Sequence, residues 1–144
     1  MAVGRITPIK GYDDLVRRIT DDRLVIVGGA EKSKREYFER LKALAGDNVV
    51  FAGPQSKVPE CLALADLVVA GNTVKPESFG LSVLEAYAMN KPVEARRFGG
   101  VAEIMESVEK YRAEHDGASN REAAMALYGS ERFLQRTLEV YRSC

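Results

Sequence analysis

Histidine is almost missing from this chain of 144 residues, His115 being the only one, so any site needing two histidines within the chain is excluded. In the polar stretch "RAEHDGASNRE" that ring reads as a surface residue rather than a base. Cysteine is scarce as well. Cys61 and Cys144 have no metal-ligand spacing, and they read as free thiols of a reducing compartment, so a cytoplasmic location is expected. No D-x-D pair occurs: Asp13-Asp14 and Asp21-Asp22 are adjacent and suit a helix start and a turn. A bound catalytic metal and a separate cofactor are therefore not expected. Charge of one sign is lacking too, with 21 basic against 21 acidic residues, which argues against nucleic acid as a partner. No apolar run approaches the roughly 20 residues of a membrane span, and "MAVGRITPIK" has no signal-peptide character. The Gly28-Gly29 pair opens "GGAEKS", which lacks the third glycine of a dinucleotide fingerprint, so NAD is not expected. Repeats, low-complexity tracts and interior linkers are absent from the sequence.

What remains is an ordinary globular composition, 46% hydrophobic and 29% charged. The length suits a single domain spanning 1–144, able to bury about 68–70% of its unfolded surface. Its patterns alternate. "AVGRI", "RLVIVGG", "NVVFAG", "DLVVAG" and "PVEAR" read as strands. Between them "GYDDLVRRI", a helix with Tyr37, Phe38, Leu41 and Leu44 at helical spacing, "VPECLALA" and "GLSVLEAYAMN" read as helices. Ser33 and Glu36 form a candidate capping box for the second of these. After "PVEAR" the alternation stops. Val101, Ile104, Met105 and Val108 mark one more helix, and "NREAAMALY" and "ERFLQRTLEVYR" look helical too. Strands alternating with helices predict right-handed βαβ units and a Rossmann-like, doubly wound α/β fold. The parallel sheet would hold about five strands in the order 3-2-1-4-5. Residues 92–96 would form one edge, where Glu94 is tolerable if it lies near Arg96 or Arg97. Covering helices are expected from residues 101–115 and 131–142.

Ligands of open α/β sheets bind beyond the carboxyl ends of the strands. Two stretches of chemistry fall there. In "VGRITPIKG", Arg5 follows the first strand and Lys10 precedes the next helix, with Gly4 and Gly11 at the bends. Two cations in that place suit a phosphate or diphosphate, although strand ends also carry Arg and Lys for solvation. In "KPESFGLSVLE", Glu77 lies ahead of a helix that starts near Phe79 or Gly80, and Glu85 lies inside it. Gly80 lets a ligand approach the amides of the first turn. Two carboxylates could grip two separate diols on either side of a phosphate, as in a sugar nucleotide; a loop acid and an unrelated helix acid would give the same spacing.

The stretches "VGRITPIKG", "RLVIVGG", "NVVFAGPQSKVPECLALADLVVA", "KPESFGLSVLEAYAMNKPV" and "FGGVAEIM" occur in this order. Together they resemble the C-terminal domain of glycosyltransferase family 4 (glycosyl transferases group 1), retaining enzymes of the two-domain GT-B fold. The resemblance covers residues 2–105, and "ERFLQRTLEVYR" resembles the family's terminal helix. It implies that the chain is the donor-binding half of a metal-independent enzyme that moves a sugar from a UDP-, GDP- or ADP-sugar to a glycan or lipid acceptor. It further implies catalytic roles for Arg5, Lys10 and Glu77: Arg5 and Lys10 would hold the diphosphate beside Gly4, and Glu77 would touch the transferred sugar. Phe79, Gly80 and Leu81 would offer amides, Glu85 would hold the ribose, and Gly53, Pro54 and Gln55 would meet the base through their backbone. Two departures from the family's pattern carry expectations. The acceptor-binding N-terminal domain would come from a further segment or a partner chain, through which any peripheral membrane contact would run, and without it the chain alone would be catalytically incomplete. The "DG-x-TG" turn and sixth strand do not follow "FGGVAEIM", which is why five strands are expected. The alternative readings are a non-catalytic nucleotide-sugar-binding or scaffold module and a general α/β phosphate binder.

Overall fold

The computed structural model describes residues 1–71 and 78–143. Among the described residues five strands form: β1 (Ala2–Val3), β2 (Leu24–Val27), β3 (Val49–Gly53), β4 (Val68–Ala70) and β5 (Val93–Ala95). Seven α-helices accompany them: α1 (Tyr12–Arg18), α2 (Arg35–Leu44), α3 (Val58–Ala63), α4 (Leu81–Ala88), α5 (Gly100–Glu114), α6 (Asn120–Tyr128) and α7 (Ser130–Ser143). Every ladder is parallel. The α/β class and the alternation are as the sequence predicts. None of the described helices is long and apolar enough to cross a membrane.

The sheet is less continuous than expected. Its ladders form a three-stranded sheet with β2 in the middle and a two-stranded sheet of β4 and β5. A backbone bond of 2.8 Å from the Val69 N–H to the Met1 carbonyl lays β4 beside β1. The strands thus lie in the neighbour order 3-2-1-4-5, but as two ladders. β1 is only two residues long, so it offers β4 too few groups to extend a ladder.

Side chains leave a strand alternately toward its two faces, and here both faces are covered. Val69 enters a core with Ala2, Ile26, Leu15 and Leu41, which belongs to α1 and α2. Its neighbour Val68 enters a second core with Leu62, Ala65 and Ala86, which belongs to α3 and α4. A third cluster joins Val83 and Tyr87 of α4 to Val101, Ile104, Met105 and Val108 of α5 and to Ala123 and Ala124 of α6.

Three local expectations are corrected. Ser33 does not cap α2; residues 32–34 already wind a 3₁₀ turn, and no side chain caps the helix. The capping box belongs to α6 instead, where Ser119 and Glu122 bond reciprocally. Glu94 pairs not with Arg96 or Arg97 but with Arg18 at the end of α1, 2.7 Å away. Arg97 is occupied by Glu109 of α5, and the Arg96 guanidinium lies 5.8 Å over the Phe98 ring. Parallel crossover placed α1 over β5's outer face, a proximity invisible to a reading of neighbours in sequence. Finally, α7 does not cover the sheet: Phe133 and Leu134 are 74% and 57% exposed. Nor does α6 lie on the sheet; it packs on the helices, burying Ala123 and Ala124 against α4 and α5. The alternation in β5 does hold, with Val93 and Ala95 packed inward and Glu94 exposed. The only neighbour of β5 is β4, so β5 is an edge among the described residues.

Candidate functional site

Three strands end in glycine, and their backbones touch. The Gly4 N–H donates to the Val27 carbonyl and the Gly28 N–H to the Gly53 carbonyl, both at 2.9 Å, so pairing continues past the strand ends. Gly28 has φ +150°, and a Cβ there would stand 1.9 Å from the Gly4 carbonyl oxygen. This pair is therefore a close backbone crossing, which explains the doublet without any dinucleotide fingerprint. A Cβ on Gly29 would likewise stand 2.9 Å from Cγ of Pro54, which brings the 53–55 loop against the same crossing. Gln55 donates its side-chain amide to the Ala52 carbonyl at 2.8 Å and so closes its own turn.

Beyond this floor the chain rises as the loop 4–11. Arg5 is exposed and donates to Glu31 at 3.2 Å. Lys10 ends the 3₁₀ turn Pro8–Lys10, which Gly11 closes in a left-handed conformation. Gly80 caps α4, also left-handed with φ +94°, and no side chain caps the helix there. The Val83 N–H of the first turn bonds the Gly80 carbonyl at 3.0 Å, and among the described residues no side chain caps the amides before it. Gly80 is buried, and a Cβ there would meet Val101 Cγ2 at 2.9 Å.

These two regions meet. A small recess is lined by Lys10, Tyr12, Gly71 and Ser82, with Ala2, Val3, Val69 and Ala70 as its floor. Ser82 lies three residues before Glu85, on the same face of α4. The Lys10 loop thus faces the strip of α4 that carries Glu85. Arg5 lies apart from the recess, on the Glu31 side of the loop. Phe79 packs edge-on against Tyr128 of α6, at 6.0 Å between ring centroids, and Leu81 is exposed. Glu77, expected to touch the sugar, lies outside the described residues. A separate cavity of about 410 Å³ opens at the amino ends of the strands among Met1, Leu24 and Leu67 and includes none of the candidate site residues.

Sequence reasoning missed Tyr12, Gly71, Ser82 and Gly100. Gly100 opens α5, and a Cβ there would stand 2.5 Å from the Ser78 carbonyl and 2.6 Å from Cα of Phe79. The "FGG" doublet before an apolar-periodic helix was a signal for such a crossing. Nothing in the sequence marked Ser82.

The tip of Glu85 reaches solvent, yet burial of its surroundings raises its carboxyl above the ordinary range, and no described cation offsets this. A raised carboxyl disfavours the ionised form in the fold. Its unfavourable contribution is therefore absent below the ordinary value of 4.5 and complete above the folded-state value. Glu85→Gln is expected to raise the Tm of the ligand-free protein at neutral pH, on the order of a degree once screening is allowed for. The gain should vanish as the pH falls below the ordinary value; an equal gain at all pH values would remove the electrostatic cause.

The fold defines a class: an α/β domain of parallel strands, with Lys10 and the start of α4 together at the carboxyl ends of its strands. The family model for glycosyl transferases group 1 matches residues 1–124, and the chain belongs to that family. It is 38% identical to the D-inositol 3-phosphate glycosyltransferase of Acidothermus cellulolyticus, over 69% of this chain and 26% of that protein. It is 34% identical to the GDP-mannose-dependent alpha-(1-6)-phosphatidylinositol monomannoside mannosyltransferase of Mycolicibacterium smegmatis, over 73% of this chain and 31% of that one. The chain thus spans between a quarter and a third of the length of these curated relatives. Among solved structures, Anabaena HepE in complex with UDP matches 99% of this chain with 49% of its own, at TM-score 0.72 and 24% identity. The C-terminal domain of LpcC from Francisella tularensis matches 94% of this chain with 84% of its own, at TM-score 0.59 and 19% identity. These structures share the fold.

Proposed function

We propose that this domain binds the nucleotide-sugar donor of a retaining sugar transfer to a glycan or lipid acceptor. The observation that carries the reading is the recess where Lys10 faces the uncapped start of α4, with Glu85 farther along the same helix face. A diphosphate lying across the mouth of this recess, which is itself only about 10 Å³, would meet a cation from one side and helix amides from the other. The ribose would reach Glu85, and the sugar would extend toward Phe79, Gly80 and Glu77. As the bond between the anomeric carbon and the phosphate oxygen breaks, both electrons leave with the nucleoside diphosphate. Lys10 and Arg5 would then stabilise that charge, Arg5 after releasing Glu31. The new bond forms on the same face of the sugar, and the acceptor hydroxyl gives its proton to the departing diphosphate oxygen. Acceptor binding falls to a further segment or partner chain. HepE was crystallised with UDP, and the Mycolicibacterium smegmatis mannosyltransferase is GDP-mannose-dependent, so different bases occur with the two proteins. Backbone contact with the base through Gly53–Gln55 is consistent with that tolerance.

Calorimetric titration with UDP-, GDP- and ADP-sugars in the absence of metal tests the reading. One of these donors is expected to bind. Glu85→Gln should weaken nucleosides and sugar nucleotides alike, by about tenfold, the loss of a charge-assisted hydrogen bond. Glu77→Gln should weaken only ligands that carry the sugar. Identical behaviour of the two variants would refute the assignment of one acid to each sugar.

A further inference from the structure

The loop that carries Arg5 and Lys10 is closed at its base by one phenol. Tyr12 is 2% exposed, at the start of α1, and its hydroxyl donates to the Gly4 carbonyl at 3.1 Å. We propose that Tyr12 is a positioning residue that holds both cations of this loop in register for the diphosphate of the donor. The inference rests on the donor-binding reading above and adds a residue to it.

The geometry works through the peptide plane. The Gly4 carbonyl and the Arg5 nitrogen share one planar unit, so the direction of that carbonyl sets the direction in which Arg5 leaves the strand. Gly28 packs against the same carbonyl from the sheet side, close enough that a Cβ would stand 1.9 Å away, and the phenol holds it from the helix side. At the other end of the loop, Tyr12 lies two residues beyond Lys10 and lines the recess with it. Between these ends the loop is tied down by the Ile6 N–H to the Gly29 carbonyl at 2.9 Å and by the turn bond from the Lys10 N–H to the Thr7 carbonyl at 3.1 Å. The phenol's bond links residue 12 directly back to residue 4. Removing it leaves the packing of the ring intact and releases the tie between the two cation-bearing ends.

The test uses Tyr12→Phe in the full chain, titrated with UDP, GDP and ADP and with the matching nucleosides. Affinity for the diphosphate that binds the unaltered protein is expected to fall about three- to tenfold, the effect of one neutral hydrogen bond. Nucleoside affinity is expected to stay within about twofold, because no contact of Glu85 changes. Tyr37→Phe is the control. It also removes a buried phenol's hydrogen bond, but one made to the Asp13 side chain of α1 and not to the loop backbone. It should lower the Tm and leave diphosphate affinity unchanged. Equal losses for nucleoside and diphosphate, equal effects of the two variants on binding, or no change in Tyr12→Phe would each overturn the proposal while leaving donor binding standing. An unaltered protein that binds none of the three diphosphates would overturn both.

Discussion

Lys10→Ala is expected to weaken binding of the nucleoside diphosphate by about 1.5–3 kcal/mol, roughly ten- to 150-fold. The magnitude is that of a charge-assisted hydrogen bond to an anion. Lys10 has the position to make one: it ends a 3₁₀ turn, is partly buried and lines the recess beside Ser82. Arg5→Ala is expected to cost less. Its side chain is 76% exposed and already shared with Glu31, so part of what a phosphate offers replaces an existing ion pair. Both losses should shrink at high salt, since the screening length falls to about 3 Å at 1 M. Titration at two ionic strengths measures this, and unchanged affinity in both variants would remove the diphosphate from this loop.

Gly28→Ala is expected to cost about 3 kcal/mol or more, a fall in Tm on the order of 10 °C for a domain of this size. Two independent penalties meet at this residue. Its φ of +150° is one that L side chains rarely adopt, and the new Cβ would stand 1.9 Å from the Gly4 oxygen and 2.8 Å from its carbonyl carbon. Those atoms are backbone in a parallel ladder and cannot rotate away; β1 would have to move from β2. Gly117→Ala isolates the first penalty. Gly117 also has positive φ, +76°, but a Cβ there meets nothing within 4 Å. It should cost only about 1 kcal/mol, the strain of the left-handed region alone. Thermal melts of the two variants decide the matter: similar losses would mean that the Gly4–Gly28 crossing is not tight.

The alternation of elements was legible because each pattern is local. A run such as "LVIV" buried in the middle of a sheet, or "NREAAMALY" with its own capping box, carries its period in consecutive residues. The helix start at Gly80 was legible for the same reason, since a left-handed cap favours glycine. The cations of the loop and the position of Glu85 within α4 could likewise be read from the residues alone.

Tertiary structure decided what lies across from what. Glu94 found Arg18, 76 residues away, because the crossover lays α1 beside β5. Ser33 lost its capping role to a 3₁₀ turn, whereas the same S-x-x-E spacing succeeded at Ser119, where extended backbone precedes the helix. In sequence Tyr12 is only the second residue of the helical stretch "GYDDLVRRI", and the return of the chain beneath it gives its hydroxyl the Gly4 carbonyl. Hydrophobic period and turn chemistry are properties of neighbours along the chain, so sequence alone determined the elements and the residue types at the strand ends. Hydrogen bonds and ion pairs need atoms within about 3 Å, and distances of that size between remote residues exist only once the strands have paired and the helices have packed.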